Sequence, residues 1–268
     1  MKKILFTLAL LISFSSFGQT VEEYNNSGYN KAAAGDSYGA ISDYTKAIEL
    51  NPNDIEAYFR RATAKDDLKD SYGAIADFTK AIELDPKFTD AFYNRGLIKM
   101  NLGDYNGAKA DFDKIIELEP NSVLAYYSRG NSKRALSDNY GAIADYTKAI
   151  ELDPKFTDAF YNRGMLKGYL NDHNGAVADY NKLIEINPND SGAYTNRSYS
   201  KRQLKDYYGS ISDGMRALEF KPNEVNAYIN IGTSKKQLGD LNGACAAWKK
   251  AAALGNKDAA KWVASECN

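Results

Sequence analysis

The sequence is poor in the residues from which catalytic and metal sites are built. Its 268 residues include a single histidine, His173, so no pair of histidines can hold a catalytic metal. His173 lies between Asp172 and Asn174 in a predicted turn, where we expect a solvated side chain. Nucleophile-elbow and phosphate-binding glycine motifs are also missing. We therefore expect a protein that is not an enzyme and that carries no cofactor and no metal.

A strong charge of one sign is missing as well. The formal net charge is −1, and removal of the first eighteen residues, which hold Lys2 and Lys3 and no acidic residue, changes it to −3. This balance gives no electrostatic reason to expect nucleic acid or an anionic membrane surface as a partner.

Long apolar runs are missing except at the N-terminus. Lys2 and Lys3 precede a run from Ile4 to about Phe14, and small and polar residues follow it. The run is shorter than the roughly 20 residues of a membrane-spanning helix, and no cysteine follows it to carry a lipid. Residues 1–18 are therefore predicted to be a signal peptide, cleaved after about Gly18. We expect the rest of the chain in the periplasm or outside the cell, without a membrane span.

What the sequence does have is a strict period of 34 residues. All six prolines fall on this period: Pro52, Pro86, Pro120, Pro154, Pro188 and Pro222. A column of glycines has the same period: Gly39, Gly73, Gly107, Gly141, Gly175, Gly209 and Gly243. A fixed period of this length indicates a solenoid, in which each unit buries its core by stacking on its neighbours.

Each repeat is predicted to be a pair of helices. Between residues 89 and 122, apolar and small residues recur at three- and four-residue steps before Gly103 and again after Asp104, and Pro120 ends the repeat. An aspartate placed to cap the second helix occurs in every repeat: Asp36, Asp70, Asp104, Asp138, Asp172, Asp206 and Asp240. The predicted repeats are 21–54, 55–88, 89–122, 123–156, 157–190, 191–224 and 225–258, followed by a C-terminal capping helix over 259–268.

The sequence resembles the tetratricopeptide repeat family over about residues 21–258. The resemblance rests on the prolines, on a column of alanines from Ala40 to Ala244 that is interrupted once by Ser210, and on two further columns. The small residues are Gly28, Ala62, Gly96, Gly130, Gly164, Ser198 and Gly232, and the aromatic residues are Tyr24, Tyr58, Phe92, Tyr126, Phe160, Tyr194 and Tyr228. It implies an all-α, right-handed α-α superhelix (solenoid) of tandem 34-residue helix-turn-helix repeats. Where family members commonly carry an aromatic residue, this chain has Lys31, Lys65, Lys99, Lys133, Lys167, Lys201 and Lys235.

Two charged columns are expected to face the packed interior. Arginines recur on the first helix at Arg61, Arg95, Arg129, Arg163 and Arg197. Aspartates recur on the second helix at Asp43, Asp77, Asp111, Asp145, Asp179 and Asp213. Both columns become apolar in the last repeat, as Ile231 and Ala247, which predicts that arginine and aspartate are partners within a repeat or between neighbouring repeats.

The resemblance also implies that one face of the first helices lines a concave groove for peptides. Rings supply contact area there, and amides can pair with a peptide backbone. The candidate binding residues are Phe59, Tyr93, Asn94, Leu97, Tyr127, Asn131, Tyr161, Asn162, Met165, Asn196 and Asn230. The alternative is that these residues are solvated on a scaffold that binds elsewhere. A basic clamp for C-terminal carboxylates is not evident, because Asp90, Leu124, Asp158 and Gly192 stand at its positions.

Further tyrosines recur in the turns between the helices of a repeat. They are Tyr38, Tyr72, Tyr140 and Tyr208. We expect these rings to pack into the protein.

The two cysteines are predicted to form a disulfide. Cys245 precedes a helix stop at Leu254–Gly255–Asn256, and Cys267 lies at the end of a short closing helix in which Trp262 is expected to be buried. An antiparallel arrangement of the two helices brings the cysteines together, and in an exported protein a disulfide is the usual state. Two free buried thiols are the alternative.

The sequence thus predicts a non-enzymatic scaffold that binds a protein or peptide in the groove of its repeats. The rival interpretation is a self-assembling structural module of the cell envelope, which uses the open edge of the first repeat or the convex face to pair with another copy.

Overall fold

The structure is a computed structural model that describes residues 19–267. The predicted signal peptide lies outside the described residues. Within them the chain forms fifteen α-helices and no strand. The chain divides into two compact units, one up to Ile98 and one from Lys99 onward, and each is described by itself.

Fourteen of the fifteen described helices form seven pairs along the chain, and the first helices of successive pairs begin 34 residues apart. The helices are α1 (Val21–Ala33), α2 (Ser37–Leu50), α3 (Ile55–Asp67), α4 (Ser71–Leu84), α5 (Thr89–Asn101), α6 (Tyr105–Leu118), α7 (Val123–Ala135), α8 (Asn139–Leu152), α9 (Thr157–Tyr169), α10 (His173–Ile186), α11 (Ser191–Gln203), α12 (Tyr207–Phe220), α13 (Val225–Gln237), α14 (Leu241–Ala253) and α15 (Lys257–Glu266). Between residues 19 and 267, none of them is both long and apolar enough to cross a lipid bilayer.

The aspartate column caps the second helices, as predicted. Asp138 accepts a hydrogen bond from the backbone N–H of Gly141 at the start of α8. The cap also explains the glycine column, because a Cβ on Gly141 would overlap the carboxylate of Asp138. The same arrangement recurs at the start of α2, α4, α6, α10, α12 and α14.

The turn after several first helices requires a left-handed backbone. Gly35 has this conformation after α1, with a φ of 82°, and Lys69 has it after α3, with a φ of 64°. Glycine adopts it freely, whereas a residue with a Cβ is strained there. Ser137, Asn171 and Lys205 carry the same strain in the second unit.

Replacement of Lys69 by glycine is therefore expected to raise the free energy of unfolding by about 1 kcal/mol, because it removes the steric cost of the left-handed conformation. The matched control is Gly35→Ala, which introduces that cost where no atom lies within 4 Å of the new Cβ. Urea unfolding followed by circular dichroism measures both. Equal stability of Lys69→Gly and the parent would show that the turn is not strained.

Small residues of the first helix lie against large residues of the second. In the second unit, a Cβ on Gly130 would lie 2.7 Å from Cε1 of Tyr146, so this glycine lets α7 approach α8. Tyr146 is fully buried with Ala142, Ala149, Ala159 and Leu166. In the first unit, Phe78 of α4 stands at the position that corresponds to Tyr146, and it too lies in a cluster of buried side chains. These two clusters each extend from a helix pair into the first helix of the next pair, so neighbouring repeats share their core.

The sixth pair departs from this pattern, and its departure explains the loss of arginine at Ile231. Gly214 stands where other second helices carry an aromatic residue. Ile231 of α13 occupies the space above Gly214, since a Cβ there would lie 2.7 Å from Cγ1 of Ile231. The apolar residue in the arginine column thus fills the gap that the missing ring leaves.

The predicted partnership of arginine and aspartate is confirmed, and it lies mainly within a repeat. Arg129 donates from Nε and Nη2 to both oxygens of Asp145, over 2.9 and 2.6 Å. Its remaining nitrogen, Nη1, reaches Asp113 of the preceding repeat over 2.8 Å. The same carboxylate contacts join Arg61 to Asp77, Arg163 to Asp179 and Arg197 to Asp213. The arginine therefore both satisfies a buried carboxylate and links consecutive repeats.

The lysine column supplies a third partner that the sequence analysis did not assign. Lys133 lies 2.8 Å from the second oxygen of Asp145, whose side chain is 5% exposed. Equivalent ion pairs join Lys31 to Asp43, Lys65 to Asp77, Lys99 to Asp111, Lys167 to Asp179 and Lys201 to Asp213. Burial alone lowers the pKa of Arg129, but hydrogen bonds to Asp145 and Asp113 raise the pKa above its ordinary value. Asp77, Asp145, Asp179 and Asp213 are thus each held between an arginine and a lysine, whereas Asp43 is held by Lys31 and the hydroxyl of Ser27.

The turn tyrosines do not pack into the core, so that prediction is wrong. Tyr38, Tyr72, Tyr140 and Tyr208 are each 76–77% exposed. Each stands in the first turn of a second helix, just before the glycine of the cap, and points into solvent. The size of a ring in a turn does not by itself predict that the ring is buried. An aromatic ring stays exposed where no neighbouring helix covers it.

The C-terminus is closed as predicted. The helix α15 packs against α14 with Trp262 beside Trp248, their ring centres 5.4 Å apart. Cys245 and Cys267 form a disulfide, and Glu266 pairs with Lys236 over 2.6 Å. Trp248 is buried, whereas Trp262 contacts α14 through Trp248 and is only half-buried, so the prediction of a buried Trp262 is wrong.

Candidate functional site

In the first unit, the candidate residues lie on the first helices but are partly used for packing. Phe59 is half-buried, with its ring centre 5.5 Å from that of Phe78 and 4.9 Å from that of Phe88. Asn94 donates its amide to the carbonyl of Asp90 in its own helix. Tyr93 and Leu97 are also half-buried. This face is therefore a semi-exposed surface and not a row of free side chains.

A cavity of about 350 Å³ lies next to Phe59 in the first unit. Tyr29, Tyr44 and Arg60 line it together with Thr63. The guanidinium of Arg60 lies 4.9 Å from the centre of the Tyr29 ring. Burial raises the pKa of Tyr44, and the nearby charge of Arg60 partly opposes the rise.

In the second unit, the candidate tyrosines join neighbouring repeats. The Tyr127 ring centre lies 5.1 Å from that of Phe156 and 5.9 Å from that of Tyr146. Its hydroxyl accepts a hydrogen bond from the amide of Asn162 over 2.8 Å. Tyr161 lies against Tyr180 in the same manner, at 6.3 Å. These tyrosines thus support the shape of the surface, and neither lines the cavities of the second unit described below.

The candidate asparagines are engaged inside the protein. Asn131 accepts a hydrogen bond from the Tyr146 hydroxyl over 2.8 Å, and Asn196 is hydrogen-bonded to Tyr180. Asn230 is 3% exposed and donates to the backbone carbonyl of Thr195. Burial raises the pKa of Tyr146 to about 12. Asn230 therefore fixes α13 against α11, and only a small part of it is left exposed where it lines a cavity beside these two helices.

Three adjoining cavities run along the first helices of the second unit. Their volumes are about 300, 220 and 290 Å³. The first two share Met165 and Tyr169, and the last two share Asn196 and Tyr199. They form one continuous groove over α7, α9, α11 and α13, called here the second-unit groove. Met165 is 36%, Tyr169 76% and Tyr199 42% exposed, so these side chains are accessible to a ligand.

Arg202 lines the last of these cavities and differs from the arginines of the interior. Its guanidinium lies 5.2 Å from the Tyr199 ring centre, and within residues 19–267 its Nε has no hydrogen-bond partner. Burial lowers the pKa of Arg202, and the nearby Tyr199 and Tyr207 only partly oppose that effect.

His173 borders the same region, so the prediction of a solvated histidine is wrong. Its ring centre lies 6.0 Å from that of Tyr199. Its Nδ1 is buried and has no hydrogen-bond partner within residues 19–267. His173 is the first residue of α10, and α11 of the next repeat partly covers its ring. The sequence around His173 does not reveal this contact.

Family comparison identifies the repeats. Models described as tetratricopeptide repeat or TPR repeat match residues 24–54, 43–76, 89–122, 130–167 and 157–190. Together the matches cover more than half of the chain. The chain belongs to the tetratricopeptide repeat family. A comparison with curated protein sequences found no match.

Solved structures share this tetratricopeptide repeat fold. The C-terminal part of a TPR repeat-containing protein from Cytophaga hutchinsonii is 20% identical, with a TM-score of 0.76 over 89% of this chain and 98% of that chain. A tetratricopeptide repeat protein from Parabacteroides merdae is 21% identical, with a TM-score of 0.66 over 94% and 100%. YrrB, described as a TPR protein with an unusual peptide-binding site, is 23% identical, with a TM-score of 0.61 over 69% and 95%. The all-α solenoid class is confirmed by these likenesses.

Three residues that line the second-unit groove were not among those predicted from the sequence. Tyr169, Tyr199 and Arg202 line the second-unit groove. Helical spacing could have found two of them, because Thr195, Tyr199 and Arg202 follow one another at steps of four and three residues. Tyr199 stands at the same position of its repeat as Leu97, Asn131 and Met165, whereas the positions of Tyr169 and Arg202 carry unlike residues from repeat to repeat.

Proposed function

We propose that this tetratricopeptide repeat protein is a non-enzymatic interaction scaffold that binds a peptide segment or partner protein through the second-unit groove. The observation that carries the proposal is the continuity of three cavities over four first helices, with accessible aromatic and methionine side chains along them. An extended peptide can contact such a surface at several repeats, so modest contacts add up. The printed description of YrrB as peptide-binding agrees with this class of function.

The surface has the chemistry that peptide recognition needs. Met165, Tyr169 and Tyr199 offer apolar contact area with a polar hydroxyl at the tyrosine tips. Tyr127 and Asn162 hold neighbouring first helices in a fixed relation through their 2.8 Å hydrogen bond. A groove that is already formed in this way loses little conformational entropy when a ligand binds.

We further propose that the protein acts outside the cytoplasm. The charged and apolar pattern of residues 1–18 supports export. A disulfide between Cys245 and Cys267 is consistent with an oxidising compartment. Fractionation of cells that express the full chain tests this proposal, and retention of an uncleaved chain in the cytoplasm would contradict it.

Capture from an envelope extract tests the groove. The variant Met165→Ala/Tyr169→Ala/Tyr199→Ala removes accessible side chains without touching Tyr127 or Tyr161, which also pack. We expect it to lose about tenfold or more of the captured partner, the scale for several interface residues. The matched control is Tyr140→Ala/Tyr208→Ala, which removes two exposed rings from second helices.

The outcomes are distinct. A partner that is lost with the groove variant and kept with the control supports the proposal. Capture that survives the groove variant, or disappears only with the control, places binding elsewhere on the protein. Light scattering over a dilution series completes the test, because a mass that rises with concentration indicates self-assembly in place of partner binding.

A further inference from the structure

Two arginines on the same helix have opposite surroundings. Arg197 of α11 is neutralised by Asp213, with contacts of 2.6 and 2.8 Å to its two oxygens. Arg202, also on α11, has no carboxylate partner within the described part of the chain, and its Nε makes no hydrogen bond there. A partly buried cation without a counter-ion destabilises a folded protein. Packing within the protein therefore does not explain why an arginine stands at position 202.

The cavity beside Arg202 holds a second unsatisfied polar group. Thr195 is 5% exposed and its Oγ1 has no hydrogen-bond partner within residues 19–267. Asn196 and Asn226 line the same cavity. Guanidinium, hydroxyl and amide groups all donate hydrogen bonds, and an ionised carboxylate is the acceptor in peptides that also supplies the negative charge that Arg202 lacks. Two unsatisfied groups lining one cavity point to a missing acceptor.

We propose that this cavity is a carboxylate pocket, in which Arg202, Thr195 and the neighbouring amides bind an aspartate or glutamate side chain of the partner. The inference rests on the proposed function and specifies its ligand as an acidic peptide segment. Tyr199 holds the guanidinium plane from one side and so orients its remaining donors.

The distribution of charge favours an internal acidic segment over a C-terminal carboxylate. Arg134 and Arg202 are the charged residues among those that line the three cavities, and they stand at opposite ends of the series. The cavities are continuous, so a chain can pass along the groove and present acidic side chains at two separate places. A single terminal carboxylate could satisfy only one of the two arginines.

Peptide binding tests the pocket directly. The probe is a pool of short peptides, acetylated and amidated at their ends, with two glutamates at every relative spacing among alanine, serine and tyrosine. One matched pool carries glutamine for glutamate, and another carries glutamine and a free C-terminal carboxylate. Titrations of the ¹⁵N-labelled full chain follow the arginine Nε–H signals, and the Arg202 signal is identified by its loss in Arg202→Met.

We expect the glutamate pool to shift the Arg202 signal and to bind about 10- to 100-fold more weakly to Arg202→Met, the range for a charge-assisted hydrogen bond. Arg216→Met is the matched control, because Arg216 lies in the same repeat on α12 with a side chain 46% exposed. It should bind the pool like the parent. Equal binding of the glutamine pool, no binding of the glutamate pool, or preference for the free C-terminus would each overturn the inference.

Thermal unfolding distinguishes the role of Arg202 from that of Arg197 without any ligand. Arg202→Met removes an unpaired buried cation, so we expect a thermal midpoint equal to or above that of the parent. Arg197→Met breaks the contacts to Asp213 and should lower it. A marked fall with Arg202→Met would mean that Arg202 is structural. If groove-dependent capture persists while the acidic pool fails, the pocket is wrong and the proposed function stands; if both fail, both are wrong.

Discussion

Replacement of Asp145 by alanine is expected to lower the free energy of unfolding by about 3–5 kcal/mol, the usual scale for removing one partner of a buried ion pair. The variant leaves Arg129 and Lys133 facing each other without their shared carboxylate, while the Arg129 side chain is only 18% and the Lys133 side chain 16% exposed. Arg129 retains only Asp113 of the preceding repeat. Urea unfolding followed by circular dichroism measures the loss.

The control for this prediction lies in the same helix. Glu151→Ala also removes a carboxylate from α8, but the Glu151 side chain is 59% exposed and pairs with Lys148 at the surface. We expect a change within about 0.5 kcal/mol, since exposed ion pairs contribute little. An Asp145→Ala variant as stable as Glu151→Ala would show that the buried layer is not needed.

The last repeat indicates how the loss can be reduced. It carries Ile231 and Ala247 in the arginine and aspartate columns, and its Lys235 pairs with the capping Asp240 over 3.1 Å. Arg129→Ile/Asp145→Ala copies this solution, with Asp138 available to Lys133 as Asp240 is to Lys235. The double variant should therefore be more stable than Asp145→Ala alone, because it no longer holds an arginine that has lost its main partner.

Much of the fold could be predicted because its determinants are local and repeated. A period of 34 residues, a capping aspartate and a proline define each helix pair without knowledge of its neighbours. The partnership of Arg129 with Asp145 was also accessible, because Ile231 and Ala247 change together. The role of Lys133 was not, since no repeat loses the lysine and nothing in the sequence contrasts its presence with its absence.

The candidate site was harder to predict because it depends on contacts between repeats. Helical spacing places Tyr127 and Asn230 on the same face of their helices, but it does not say what the next helix covers. Tyr127 is half-buried against Phe156, and Asn230 is closed in by α11. Tyr140 shows the converse, since a ring expected to pack stands exposed. Burial in a solenoid is decided by the neighbouring repeat.

The second large effect is expected from loss of the disulfide. The variant Cys245→Ala/Cys267→Ser opens a loop with a sequence separation of 22 residues. In the chain-entropy model this costs about 3 kcal/mol. The effect should be confined at first to α15, which is held to α14 by the disulfide and by the contact of Trp262 with Trp248, and to α13 by the pair of Lys236 with Glu266.

The chain allows this local effect to be seen, because its two tryptophans, Trp248 of α14 and Trp262 of α15, lie against each other where these two helices pack. Tryptophan fluorescence therefore reports α14 and α15, whereas circular dichroism reports all helices. In the variant, the fluorescence transition in urea should precede the dichroism transition, and the intact mass of the parent should rise by two hydrogens on reduction. Superimposed and unchanged transitions would mean that packing alone closes the array. Separate transitions would instead show that the disulfide holds α15 in place over Trp248.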